Sequence, residues 1–345
     1  MKNRTPVRPF LAVSCVISAV LVLGACGGGS TEPESAGPST TNVSGEYVTP
    51  RTMPEGKGST EDDGVFPRTV VHFQGETKLD AEPERVVVIS TGQADALLTL
   101  GVVPVGSTSG EGAEMIPQYL KDAFPEDAQA LDDVTSVGDR FAPDLESVAN
   151  LDPDLILMNT AGKDAGQMYA SLNAIAPTVA TQGTGLYWKQ DLLLLADSLG
   201  QRQSAESWLD EYQTEAATFG ESLSEPGNVS FLRLNSDRTR VFGVASFSGS
   251  VAEDIGLARP ESQTFTDETS LDISSEQLDL ADGDHLFYGV QGGDDSQLTG
   301  LPLWDSLAAV QADTAVSVDD DTFYLNTGPT AARGILSTLQ ETLGS

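Results

Sequence analysis

The chain has 345 residues, and 52 acidic against 18 basic side chains give it a formal charge of -34. A polyanion of this kind is a poor partner for nucleic acid or anionic lipid headgroups. The carboxylates are scattered rather than gathered in one tail, which reads as a solvated surface, and the length allows one large or two medium domains with full cores.

The chain opens with Lys2, Arg4 and Arg8, followed by an uncharged run from Phe10 to Leu23. This is the charged start and apolar stretch of an export signal, too short to span a bilayer comfortably. Leu23, Gly24, Ala25 and Cys26 follow, a run that resembles the lipobox of bacterial lipoproteins and implies cleavage after residue 25 with a lipid on Cys26. Cys15 lies inside the signal and is lost with it, so no disulfide framework is available. From Gly27 to about Gly64 the composition is Gly, Ser, Thr, Pro and Glu, which cannot offset its own ordering entropy. Residues 26–66 are therefore expected to be a flexible tether reaching on the order of 35 Å.

From Arg85 onward β-rich runs alternate with amphipathic ones: Val86 to Ser90, Ala94 to Leu100, Val102 to Gly106, Leu145 to Leu151, Leu155 to Asn159 and Met168 to Ile175. Strand and helix in alternation predict a parallel sheet covered by helices on both faces. Between Trp188 and about Leu223 the texture changes. Leu192, Leu193, Leu195, Leu199, Ala205, Trp208, Leu209 and Tyr212 recur at helical spacing, predicting one long helix, or two with a break near Gly200. Alternation resumes with Val229 to Leu234, Thr239 to Val244, Ser274 to Leu280, His285 to Val290, Ala315 to Val318 and Phe323 to Leu325, then a terminal helix from Thr330. The expected class is α/β: two α/β lobes, residues 67–187 and 225–345, joined by a single helical stretch over 188–224, with a ligand cleft between the lobes.

Three stretches carry a resemblance: R-V-V-V-I-S-T-G-Q-A-D-A-L-L-T-L-G-V-V-P-V-G from Arg85 to Gly106, V-G-D-R-F-A-P-D-L-E at 137–146, and L-D-P-D-L-I-L at 151–157. They resemble the iron-siderophore substrate-binding proteins of ABC importers, the class of periplasmic binding proteins whose two lobes are joined by a rigid helix. The resemblance implies a lipoprotein on the extracytoplasmic face of the cell membrane. It would work as a monomer, capture a ferric siderophore or related iron chelate with little hinge motion, and hand it to the permease. Iron would arrive only as part of that ligand, with no cofactor. A haem- or cobalamin-binding lipoprotein of a related importer is the alternative, haem needing an axial ligand such as Tyr187, Tyr288 or a histidine.

The resemblance further implies that strand-end loops line the cleft. In the first lobe these are Ser90, Thr91, Gly92 and Gln93, then Gly138, Asp139 and Arg140, and Asn159, Thr160 and Ala161. Tyr187 and Trp188 stand at the junction, as an aromatic wall or as packing for the linking helix. The second lobe would offer Arg233, Asn235, Phe247, Tyr288 and Gln291, with Thr327 near the last strand end. Arginine suits such a site because its planar fork donates to carboxylate, catecholate or hydroxamate oxygens. For Arg140 and Arg233 the competing reading is a surface ion pair, and Arg238 and Arg240 read as solvated residues flanking a hairpin turn.

Other chemistry is poorly supported. The two histidines, His72 and His285, are too few for a bare transition-metal site. No G-x-S-x-G, Walker, G-x-G-x-x-G or H-E-x-x-H motif is present, so no catalysis is expected.

Overall fold

Continuous apolar runs such as V-V-V at 86–88 and L-I-L-M at 155–158 have no polar face to give to water, so they form strands covered on both sides. A computed structural model describes residues 47–110, 112, 114–236 and 238–344, all within one unit, Thr40–Ser345. The export segment, Cys26 and the tether up to residue 46 lie outside the described residues. No helix of the described residues is long and apolar enough to cross a membrane.

A hairpin of β1 (Arg68–His72) and β2 (Gly75–Leu79) precedes the first lobe. That lobe holds β3 (Val86–Val88), β4 (Gly106–Ser109), β5 (Thr135–Asp139), β6 (Ala142–Pro143), β7 (Leu155–Asn159) and β8 (Thr178–Thr181). The sheet order is β6-β5-β4-β3-β7-β8, parallel throughout except for the short β6. Its helices are α1 (Gln93–Thr99), α2 (Gln118–Ala123), α3 (Ala128–Asp132), α4 (Leu145–Asn150) and α5 (Ala165–Asn173). Strand β4 begins where the expected strand 102–106 ends.

The second lobe holds β9 (Val229–Asn235), β10 (Arg238–Phe242), β11 (Ser270–Ile273), β12 (His285–Val290) and β13 (Ala315–Ser317), in the order β11-β10-β9-β12-β13. Strands β9, β12 and β13 run parallel, while β10 is antiparallel to both neighbours. Residues Ser275–Ala281 form a 3-10 helix, and Asp321–Leu325 a π-helical turn where a last strand had been expected. In each sheet the chain leaves a central strand in opposite directions, β3 toward β4 and β7, β9 toward β10 and β12. In the first sheet, where β3 is parallel to both neighbours, such a reversal point opens a crevice at the strand ends.

The helical stretch between the lobes comes as two pieces, α6 (Trp188–Ser198) and α7 (Arg202–Ser222). The break falls at Gly200, whose φ of +72° is left-handed and ends α6. All of Leu192 to Leu195 are buried, as are the polar Lys189, Gln190, Asp197 and Ser198, so α6 is covered on every side and sits inside the molecule. Four helices of the second lobe follow: α8 (Phe247–Ile255), α9 (Ser296–Thr299), α10 (Ala308–Gln311) and α11 (Pro329–Leu343).

Residues 47–66 were expected to belong to the tether, but they lie bound along α6 and α7. Asp63 accepts hydrogen bonds from Arg202 N at 3.0 Å and Gln203 N at 2.8 Å, capping α7 from outside. Ser59 N donates to Asp197 Oδ2 at 2.6 Å, and Gln190 Nε2 donates to Thr52 O at 2.7 Å. Arg51 pairs with Glu253 at 2.7 Å and with Asp254 at 3.1 Å, adding a second cation to the buried Lys189–Asp254 pair at 2.6 Å.

Candidate functional site

A cleft of about 430 Å³ opens between the strand ends of the first lobe and one face of β9 and β10 in the second. The first lobe contributes Ser90 and Thr91 after β3, Arg140 and Phe141 after β5, and Asn159 and Lys163 after β7. The second contributes Arg233, Arg240, Phe242, Phe247, Tyr324 and Thr327.

Arg140 is held by its surroundings. Its backbone N donates to Ser109 O at 2.9 Å, and Nη1 donates to Thr91 Oγ1 at 3.1 Å while the guanidinium lies 4.5 Å from the Phe141 ring centroid. The stem passes where a Cβ at Gly110 would sit, 2.7 Å from Arg140 Cδ, so a side chain there would push the arginine aside. Arg233 is 2% exposed, and Asp320 grips it with Nε donating at 2.6 Å and Nη2 at 2.7 Å. This two-pronged pairing fixes the plane of the guanidinium.

Strand parity then brings in Arg240. It lies directly opposite Arg233 across β9 and β10, so both side chains stand on one face. Phe242, two residues on, shares that face, with its ring centroid 5.5 Å from the Arg240 guanidinium. Tyr324 packs on Phe242 at 5.0 Å and donates its hydroxyl to Phe287 O at 2.9 Å. Burial, then the Asp320 charge, pushes this phenol above its usual range, so the ring is neutral. The nearby Asp321 carboxyl is pushed up to about 6 by burial first and then by Asp319, Asp320 and Glu114.

The lining therefore carries four cations, Arg140, Lys163, Arg233 and Arg240, against one carboxylate, Asp164. In a chain of charge -34 this is a local inversion of sign. Among the described residues no three His, Cys, Asp or Glu side chains gather in a group able to hold a metal ion. What the cleft offers is cations, hydroxyls and aromatic faces, suited to an organic anion.

Of the residues expected from sequence, Thr91, Arg140, Asn159, Arg233 and Thr327 line the cleft, as do Ser90, Ala161 and Phe247. Gly92, Gln93 and Trp188 instead border a small recess behind it. Gln93 is buried, its Oε1 accepting from Ser90 N at 3.1 Å. Trp188 is 2% exposed, donates to Ser250 Oγ at 3.0 Å and meets Trp208, Tyr212 and Phe247 edge to face, so it packs the linking helix and does not face the cleft. Tyr187, in the turn before α6, is not among the lining residues.

Asp139 points to solvent and accepts from Phe141 N at 2.8 Å, and Thr160 donates to Gln182 O at 3.2 Å. Asn235 lies at the end of β9 beyond the lining. Tyr288 pairs in register with Leu232 and shares the opposite sheet face, where it packs on Trp304 at 4.8 Å. Gln291 sits against Gly112, leaving no room for a Cβ there, and receives a hydrogen bond from Ser236 Oγ at 3.4 Å. Among the lining residues missed from sequence are Phe141, Lys163, Arg240, Phe242 and Tyr324. For Arg240 and Phe242 the signal was the hairpin register, which puts both on the side of Arg233.

The chain as a whole is similar to known proteins. The family profile described as periplasmic binding protein matches residues 86–322. YfiY of Bacillus subtilis, described as a probable siderophore-binding lipoprotein, is 30% identical over 281 residues, covering 76% of this chain and 83% of that protein. FhuD of the same organism, an iron(3+)-hydroxamate-binding protein, is 29% identical over 305 residues, covering 84% of this chain and 90% of that one. The crystal structure of SirA from Staphylococcus aureus, complexed with staphyloferrin B, superimposes with a TM-score of 0.68 at 26% identity, covering 80% of this chain and 98% of that chain.

Proposed function

Because the chain belongs to the periplasmic binding protein family, we propose that it captures a ferric siderophore in the interlobe cleft and delivers it to an ABC-type importer for iron uptake. It is a substrate-binding protein of a transport system and not an enzyme. The same reading puts the protein on the extracytoplasmic face of the cell membrane, anchored by a lipid on Cys26. It acts there as a monomer with the permease as its protein partner.

The observation that carries this reading is the cation-rich, aromatic-faced lining in an otherwise acidic chain. A ferric siderophore brings its metal already wrapped in oxygen ligands, so its receptor supplies charge and hydrogen-bond donors to the organic shell. Thr91, Arg140, Asn159, Arg233 and Thr327 serve as ligand contacts, joined by Lys163, Arg240, Phe242, Phe247 and Tyr324. The excess of cations favours a complex that carries net negative charge. Haem is disfavoured because Tyr187, Tyr288, His72 and His285 all stand outside the lining, and the lining's Tyr324 has its hydroxyl committed to Phe287 O at 2.9 Å.

Isothermal titration calorimetry of the purified protein against ferric citrate, a ferric hydroxamate and a ferric catecholate tests this, with haem and cobalamin as controls. One ferric complex is expected to bind at or below about 1 μM, or roughly -8.2 kcal/mol. Arg240→Ala and Arg140→Ala are each expected to weaken it by about 10- to 100-fold, the scale of one hydrogen bond to a charged group. Tight binding of haem or cobalamin with no response to any iron complex would overturn the substrate.

A further inference from the structure

Helix α11 starts without a cap of its own. Its N-cap residue is Gly328, which has no side chain, and Pro329 follows at the first helical position. The N–H groups of the next two residues are the ones an N-cap side chain normally satisfies. Asp95, on α1 of the other lobe, does this in trans: Oδ1 accepts from Thr330 N at 2.8 Å and Oδ2 from Ala331 N at 3.0 Å, across 235 and 236 positions of sequence. Tyr119, from α2, donates its hydroxyl to the same Oδ2 at 3.1 Å.

Two glycines make this approach sterically feasible. A Cβ at Gly328 would lie 2.4 Å from Asp95 Cγ, and one at Gly92 would lie 3.0 Å from Thr327 N. The seam is thus closed from both sides by residues without side chains. Asp95 is 1% exposed, and no cation pairs with it among the ion pairs of the described residues. Burial pushes its carboxyl up, and the donors from Thr330, Ala331 and Tyr119 pull it back. The positive end of α11 supplies the balancing partial charge. Thr327, one residue before the N-cap, lines the cleft, so whatever fixes the start of α11 also fixes part of the binding surface.

We propose that Asp95 is a positioning residue for ligand binding: by capping α11 across the lobe boundary it sets the interlobe spacing at which the cleft residues of both lobes meet one ligand. This rests on the cleft being the ligand site, as argued above. An ordinary cap would contribute only local helix stability. A cap that crosses the boundary also ties two bodies together, and that difference can be measured.

The full-length chain carrying Cys15→Ser and Cys26→Ser has no other cysteine, so Ala149→Cys and Asp305→Cys, one exposed position in each lobe, accept spin labels uniquely. Electron double resonance without ligand is expected to give one narrow interlobe distance for the otherwise native chain. Asp95→Ala is expected to lengthen or broaden it, and to weaken the ferric complex found by calorimetry by tenfold or more. Ser274→Ala, which removes the cap of the 3-10 helix Ser275–Ala281, an element that carries neither label, is the control and should leave the distance unchanged. If Asp95→Ala does not fold, Asp95→Asn answers the same question, since it keeps the shape but presents an amide to one of the two N–H groups. A distance in the folded Asp95 variant as narrow as the native one overturns the proposal. Because this arm needs no ligand, it decides the matter even if no ferric complex binds, an outcome that would count against the substrate reading alone.

Discussion

His72 is held in its neutral form by hydrogen bonds that run in one direction. Gln74 N donates to Nδ1 at 3.2 Å, which places the ring proton on Nε2, facing Thr77 Oγ1 at 3.0 Å. That hydroxyl donates onward to Thr178 O at 2.7 Å. Burial, and then the Lys57 charge, lower the imidazole from 6.5 to about 4. Between those values the unfolded chain binds the proton and the folded one does not, so this contribution to stability is full above about pH 6.5 and fades as pH falls toward 4. Asp191, raised by burial to about 7, works in the opposite sense over part of the same range. The prediction therefore concerns a difference: the stability advantage of the native chain over His72→Gln shrinks as pH falls from about 7 to 4.5, read from urea midpoints. Parallel curves would clear His72 of the effect. As cleft-lining positions, Arg140 and Arg233 were legible because cations are scarce in this chain. Tyr288 and Arg240 were not, because a strand's parity decides which face a residue takes and a shift of one reverses it. Only the pairing of β9 with β10 and β12 settles that parity.

Helix α7 depends at its start on a residue from outside the helix. Asp63 satisfies two of its first N–H groups, and Arg202 reaches back with Nη2 donating to Ser59 O at 2.7 Å. Asp63→Ala is expected to cost about 1 kcal/mol, the usual worth of an N-cap, as a lower urea midpoint with an unchanged slope. A changed slope would mean that residues 47–66 detach as a unit. This segment was read as tether because its composition is polar and lacks apolar periodicity. It binds through single ion pairs, hydrogen bonds and isolated apolar residues such as Met53 and Phe66, contacts that leave no periodic trace in sequence. The alternation of strands and helices was legible, since continuous apolar runs and amphipathic ones differ locally. The order of strands within each sheet was not, because it is set by contacts between distant segments. The helical turn at Asp321–Leu325 was hidden for a related reason: Phe323 is buried by packing on Phe287 at 6.3 Å, and a buried aromatic run reads like a strand.

Across the whole molecule carboxylates far outnumber cations, while the cleft lining alone holds four cations against one carboxylate. Screening limits long-range repulsion of an anionic ligand to about 8 Å at physiological salt, so the lining governs the last approach. The two-lobe plan was readable from texture: alternating segments, a long helical stretch, then alternation again. The seam was not, since Asp95 looked like one more polar residue on an amphipathic helix. The aromatic packing behind the cleft has one more consequence. Trp188 stacks edge-on against Phe247, a lining residue, while Trp304 lies on the far face of the second sheet against Tyr288. Ferric complexes are coloured, and a chromophore in the cleft drains the excited state of an indole one ring away more effectively than that of a distant one. The chain thus carries its own optical gauge of occupancy, in which Trp188→Phe removes more of the ligand-induced dimming of emission than Trp304→Phe does.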